Sequence, residues 1–289
     1  MFLSSLHHLF RRSAKGLSNT FELLGASSQA CLLCTKSVSF VQSDVSIPAN
    51  TPRIIGRSLC NDCLSSIPWL QRIRCPICGR GSVCGDCVRR SEPQFIANRS
   101  AVHYSETMKE WLALYKYRGN ERLSTLFAQM MLPAAAQLAA LQRPSNLPVS
   151  RHRRPPWDVI TYVPISTERA EERGFNQAEQ FASFLSQQLR VPLHHLLVRE
   201  RHTEKQSFKS RAERIRNTAQ LFRASLEEMN NLLIASTPPS VIPSQPHRIR
   251  VLLIDDIYTT GSTVQACSSA LQQQALLPLE IYSLTWARS

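Results

Sequence analysis

The densest chemistry in this chain lies near its carboxyl end. Asp255 and Asp256 are followed by Ile257 and Tyr258, and then by Thr259, Thr260, Gly261, Ser262 and Thr263. Two adjacent carboxylates can accept hydrogen bonds from vicinal hydroxyls and can stand near a hydrated Mg²⁺. The backbone amides from Thr260 to Thr263 open a helical pattern and favour an anion. Gly261 removes the Cβ that would obstruct close backbone approach, and the flanking hydroxyls add short donors. Together they have the layout of a sugar-phosphate site: carboxylates for the sugar, amides and hydroxyls for the phosphate. A buried strand ending in an acidic turn and a Ser/Thr cap is the plainer alternative, and it needs fewer of these groups.

A second segment carries complementary charge. Val163-Pro164-Ile165-Ser166-Thr167 is followed by Arg169, Arg173, Gly174, Phe175, Asn176 and Gln177. A strand end with a hydroxyl turn at Ser166, then two arginines four residues apart, could grip a second anion. If the stretch is helical, Arg169 and Arg173 share a face and can bracket a pyrophosphate with charge-assisted bonds. A solvated basic turn is the alternative.

Eight of the nine cysteines form four C-x-x-C pairs, Cys31/Cys34, Cys60/Cys63, Cys75/Cys78 and Cys84/Cys87. Each pair has the spacing of a zinc knuckle, and eight thiolates suit two Cys₄ sites. Sequential pairing joins the first four and the last four; interleaved pairing stays open. A Cys₄ site leaves no coordination position for water, so both Zn²⁺ ions are expected to be structural. No signal peptide is recognised ahead of the cysteines, which disfavours a disulfide framework and points to a cytoplasmic protein. Cys267 stands apart and is expected to be a small buried hydrophobe.

These residues need a scaffold. The β-branched run Val251 to Ile254 predicts a buried parallel strand that delivers the acidic pair to its carboxyl end, where ligands bind in open α/β sheets. Upstream, strands are expected at Phe95–Tyr104 and Asp158–Val163, and helices at Glu106–Tyr117, Arg122–Gln142 and Asn176–Arg190. A helix from about Ser262 to Gln274 and a strand at Glu280–Leu284 complete the pattern. Three units are expected: a helical leader at 1–30, a double zinc ribbon at 31–92, and an α/β domain at 93–289 with loops at 143–156 and 236–246.

With 289 residues and a formal charge of +13, the chain is long enough for two domains and favours polyanionic partners. No apolar run long enough to span a membrane is read from the sequence. The stretch from Arg199 to Arg216 holds seven Lys/Arg against three Glu, which suits a lid over the anion, a strand of bound nucleic acid, or a solvated helix. Tyr115 and Tyr117, beside Lys116 and Arg118, and Phe208 within the basic stretch could stack on bases or belong to the core.

Taken together, the thirteen residues Val251 to Thr263 resemble the 5-phosphoribosyl-1-pyrophosphate signature of type I phosphoribosyltransferases. The four knuckles, the Arg173–Gln177 string and Tyr115-Lys116-Tyr117-Arg118-Gly119, in this order, resemble the ComF family, including GntX-like proteins. The resemblance covers about Cys31 to the carboxyl terminus. It implies a type I phosphoribosyltransferase-like parallel sheet flanked by helices, with an N-terminal double zinc ribbon.

It implies further that Asp255 and Asp256 meet the ribose, that Thr259 to Thr263 hold the 5-phosphate, and that Mg²⁺ and Arg173 serve the pyrophosphate. Phosphoribosyl pyrophosphate or a related sugar phosphate is the implied ligand, and DNA uptake in natural transformation the implied role. Single-stranded DNA, a DNA-uptake helicase and a second copy of the chain are candidate partners. Two alternatives stay beside this one: an active phosphoribosyltransferase with an unknown acceptor, and a non-catalytic phosphoribosyl pyrophosphate sensor or single-stranded DNA adaptor. Purine-salvage members commonly carry an Asp before the Thr-Gly of the loop; Thr259 occupies that place, which argues against a purine acceptor.

Overall fold

Alternation of buried side chains along four parallel strands builds one sheet with a core on each face. The computed structural model describes residues 29–38, 47–89, 92–117, 122–142, 155–200, 221–236 and 248–289. The leader up to residue 28, Arg118 and Gly119, most of both expected loops, and the basic stretch from Arg201 to Arg216 with Phe208 lie outside the described residues.

The described elements run in order α1 (Arg53–Ser58), α2 (Asn61–Ser65), α3 (Gly85–Val88), β1 (Ala97–His103), α4 (Glu106–Tyr117), α5 (Arg122–Leu141) and β2 (Val159–Tyr162). They continue with α6 (Thr167–Arg173), α7 (Gln177–Leu189), β3 (Leu197–Arg199), β4 (Phe222–Ala224), α8 (Leu226–Ser236), β5 (Ile249–Tyr258), α9 (Ser262–Gln274) and β6 (Leu279–Arg288). The main sheet has the order β1-β6-β5-β2, all parallel. β3 and β4 form a separate antiparallel ribbon.

Side chains of successive strand residues point to opposite faces. Leu252, Ile254 and Ile160 face a core shared with α5 and α7, whereas Val251, Leu253 and Val159 face a core shared with α9. The helices that follow β2 and β5 therefore cover opposite faces. Adjacent parallel strands whose connections diverge in this way open a crevice at their carboxyl ends.

Two strands are longer than the sequence suggested. β5 continues past Ile254 through both carboxylates to Tyr258, because β6 keeps pairing with it from Ile249↔Leu279 to Tyr258↔Arg288. On its other side β2 ends at Tyr162↔Ile254. Asp255 and Asp256 thus lie where one neighbour has stopped and the other carries on, an edge that sequence alone could not reveal. The α5 helix, at 20 residues, matches a membrane span in length and composition. It is instead a core helix here, with Leu123, Phe127, Met130, Met131 and Leu138 buried against the sheet.

The cysteine-bearing segment wraps the edge strand β1. Trp69 bridges Val102 in antiparallel fashion, and the amides of Leu70 and His103 donate to Ala101 and Pro68 oxygens, each at 2.9 Å. This strap covers β1's open edge. Before it, Cys31 and Cys60 join the core on the α5 face; after it, Cys75, Cys78, Cys84 and Cys87 join the core on the α9 face.

Candidate functional site

The glycine that ends the loop after β5 sets the geometry of its wall. Gly261 adopts φ 82°, a left-handed conformation, and is the N-cap of α9. Ser262 and Thr263 follow at the open helix N-terminus, and the Ser262 amide donates to Thr260 Oγ1 at 3.4 Å. Thr259 and Thr260 are exposed, and Gly261 is buried.

Asp255 is 9% exposed, and its carboxylate accepts the amide of Asp256 at 2.8 Å. Burial pushes the Asp255 carboxyl well above the usual range, and the neighbouring Asp256 charge adds to the rise. Lys116, from the end of α4, donates to Asp256 Oδ2 in a partly buried ion pair. Lys116 belongs to the Tyr115–Gly119 string noted in the sequence, but nothing local tied it to residues 140 positions away.

The opposite wall comes from the segment after β2. Residues 167 to 173 are helical, so Arg169 and Arg173 lie one turn apart on α6. Gly174, at φ 75°, ends that helix, and Asn176 caps the next: its Oδ1 accepts the Ala178 amide at 3.0 Å. Phe175 packs into the core with its ring 5.2 Å from Tyr115. The string thus divides its work: Arg173 lines the cleft, Gly174 stops one helix, Phe175 anchors in the core, Asn176 caps the next helix, and Gln177 begins it and accepts a bond from Arg173.

Arg173 donates from Nη1 to Gln177 Oε1 at 3.0 Å and from Nη2 to the Tyr117 hydroxyl at 3.2 Å, with its guanidinium 5.3 Å from the Tyr117 ring. Its Nε is buried with no partner among the described residues. Tyr117 is exposed at the rim, whereas Tyr115 is fully buried and donates to Gln180 Oε1 at 2.6 Å. The two tyrosines thus differ: Tyr115 is core, and Tyr117 is exposed, with the Arg173 guanidinium against its ring.

These walls enclose one cleft of about 310 Å³. Its lining includes Lys116, Arg169, Arg173 and Arg199 together with Asp255, Asp256, Ser262 and Thr263. Burial, then the charge of Arg169, pulls Arg199 below its ordinary pKa, so an anion between these arginines would relieve their repulsion. Ser166 is the N-cap residue of α6, and like Thr259, Thr260 and Gly261 it is not part of the cleft lining. Arg199 was visible in the sequence only as the first residue of the basic stretch; β3 delivers it to the cleft.

The cysteines form two groups, Cys31, Cys34, Cys60 and Cys63, and Cys75, Cys78, Cys84 and Cys87, with all sulfurs in a group within 4.8 Å. Pairing is therefore sequential. All nine cysteines are free thiols, and sulfurs such as Cys34 and Cys60 at 3.4 Å, or Cys78 and Cys84 at 3.5 Å, are too far apart for disulfides. A tetrahedral ion with about 2.3 Å bonds to sulfur requires edges of about 3.8 Å, which these groups approach. Burial and the adjoining thiols push Cys63 and Cys87 up. Burial also opposes ionisation of Cys31, but the backbone amides around its knuckle outweigh it and bring that thiol down to about 7. Both sets fit a structural zinc.

No family model matches this chain. Competence protein ComFC of Bacillus subtilis is 29% identical over 259 residues, covering 86% of this chain and 91% of that protein. ComFC of Streptococcus pneumoniae is 25% identical over 88% of this chain and 98% of its own length. Competence protein F of Haemophilus influenzae is 26% identical over 81% and 93%. Along most of its length the chain is thus similar to proteins named as competence proteins, in line with the resemblance carried by its motifs.

Proposed function

We propose that the cleft between β5–α9 and α6 binds phosphoribosyl pyrophosphate or a related sugar phosphate, in a protein that serves DNA uptake as the names of its relatives indicate. The observation that carries this reading is the convergence on one cleft of Asp255, Asp256, Ser262 and Thr263 with Lys116, Arg169, Arg173 and Arg199. A ligand with a sugar flanked by two phosphate groups matches that arrangement. The carboxylates take ribose hydroxyls, the α9 N-terminus takes the 5-phosphate, and the arginines take the pyrophosphate. Mg²⁺, bound with the pyrophosphate, would neutralise part of its charge beside the acidic pair.

Ligand binding is better supported than transfer. Among the described residues the only carboxylates lining the cleft are Asp255 and Asp256, and both are committed to the ribose in this reading. Among the described residues no third carboxylate and no histidine lines the cleft to take a proton from an acceptor. A sensor or a DNA adaptor that responds to the sugar phosphate therefore fits the cleft as well as a transferase does.

Calorimetry with phosphoribosyl pyrophosphate and Mg²⁺ tests the reading. Binding by the wild-type chain that is lost in Asp255→Ala/Asp256→Ala, with the fold and zinc content kept, is the expected result. Unchanged binding in that variant would remove the site, and hydrolysis or transfer with a nucleobase present would promote the enzymatic alternative.

A further inference from the structure

The second cysteine group lies against the foot of the ligand loop, and one buried side chain joins them. Arg288, at the end of β6, is 2% exposed. Its Nη1 donates to the carbonyls of Thr259 at 2.6 Å and Tyr258 at 3.2 Å, and also to that of Ser289. Its Nη2 donates to Cys78 Sγ at 3.7 Å. The guanidinium lies over the Tyr258 ring at 4.7 Å, and β-pairing sets Tyr258 opposite Arg288. The planar fork of arginine is what allows both contacts at once.

Charge explains why an arginine belongs there. Four thiolates around one Zn²⁺ carry a net charge of about −2. Two buried arginines flank this group: Arg288, and Arg99, which is 5% exposed and donates to the Pro76 and Asn98 carbonyls at 2.9 and 2.7 Å. Their two positive charges balance the metal-loaded group. The side chain that donates to Cys78 Sγ also holds the Tyr258, Thr259 and Ser289 carbonyls, so the position of the second cysteine group is passed through one buried guanidinium to the foot of the loop. The first group has a different surrounding: its nearby cation is Lys36, which is exposed and paired with Asp62 at 2.9 Å.

We propose that Arg288 is a positioning residue that couples the second cysteine group to the Thr259–Thr263 loop, so that metal in Cys75/Cys78/Cys84/Cys87 holds the loop in its binding shape while metal in the first group does not. The consequence for ligand affinity rests on the reading of the loop as part of the sugar-phosphate cleft; the coupling itself does not.

Hydrogen exchange of the full zinc-loaded chain, followed on peptides spanning residues 257–265 in the absence of ligand, is the test. Zinc content is measured alongside. Arg288→Gln should keep about two zinc per chain while loop exchange speeds about tenfold, and Arg288→Lys should fall between, since it keeps the charge but loses the fork. Cys34→Ser should lose metal from the first group and leave loop exchange unchanged. Loop exchange that stays slow in both Arg288 variants would overturn the proposal. So would equal acceleration in Cys34→Ser, which would mean a general loosening. If the wild-type chain fails to bind phosphoribosyl pyrophosphate but these exchange differences appear, the ligand assignment falls and the coupling stands.

Discussion

The two walls of the cleft are built in opposite ways. The acidic and hydroxyl wall is one unbroken stretch, in which β5 runs through Asp255 and Asp256 into a glycine-hinged loop and then α9. The basic wall is gathered from three places, with Lys116 at the end of α4, Arg169 and Arg173 on α6, and Arg199 on β3. A continuous wall fixes its donors relative to one another through the backbone. A gathered wall depends on packing, here the Tyr115, Phe175 and Phe181 rings that hold α4 to α7. In the proposed reading the continuous wall takes the ribose and its 5-phosphate, and the gathered wall takes the pyrophosphate.

That division can be broken at several points. The largest effect is expected for Arg173→Ala, which removes charge-assisted bonds of about 1.5–3 kcal/mol. Affinity for phosphoribosyl pyrophosphate should fall about 10- to 100-fold, while affinity for ribose 5-phosphate, which carries no pyrophosphate, should barely change. Equal losses for both ligands in competition calorimetry would place Arg173 on the sugar side.

A smaller effect is expected for Lys116→Ala. The ion pair with Asp256 is partly buried, so its loss leaves a carboxylate underpaired and removes one cation from the cleft. Binding should weaken about fivefold, or roughly 1 kcal/mol. Tighter binding would show instead that Lys116 blocks Asp256 from the ribose.

The smallest effect concerns stability. Asp255 has a raised folded-state pKa, so the folded chain holds that proton more tightly than the unfolded chain does. Stability is therefore lost as pH rises from the ordinary carboxyl value of 3.8 through the folded value, and it stays lower above it. Asp255→Asn escapes this loss. Its melting temperature should exceed wild type by about 2 °C near neutral pH, and the gap should close toward acid pH. A gap independent of pH would assign the gain to packing.

The same contrast explains what could be read from the sequence. The continuous wall was legible because its chemistry, its strand and its helix start occupy adjacent positions. The cysteine knuckles were legible for the same reason, since two thiols two residues apart already grip one edge of a metal. Arg169 and Arg173 were visible as a pair, but their helix became definite only with Gly174 as its stop and Asn176 as the next cap. Lys116 and Arg199 reach the cleft through tertiary packing, and no local pattern marks that. Nor does any local pattern show that the two cysteine groups join cores on opposite faces of the sheet, because that follows from a strap crossing the edge of β1. Strand ends were underestimated where a neighbouring strand, rather than the residue's own type, extends the ladder.

One measurement reaches the central claim most directly: parallel calorimetric titration of the wild-type chain with phosphoribosyl pyrophosphate and with ribose 5-phosphate, both in Mg²⁺. A ligand that spans both walls should bind at least about tenfold more tightly, or about 1.4 kcal/mol, than one that reaches only the acidic wall. Equal affinity for the two, or no binding of either, would contradict a cleft built from two complementary walls.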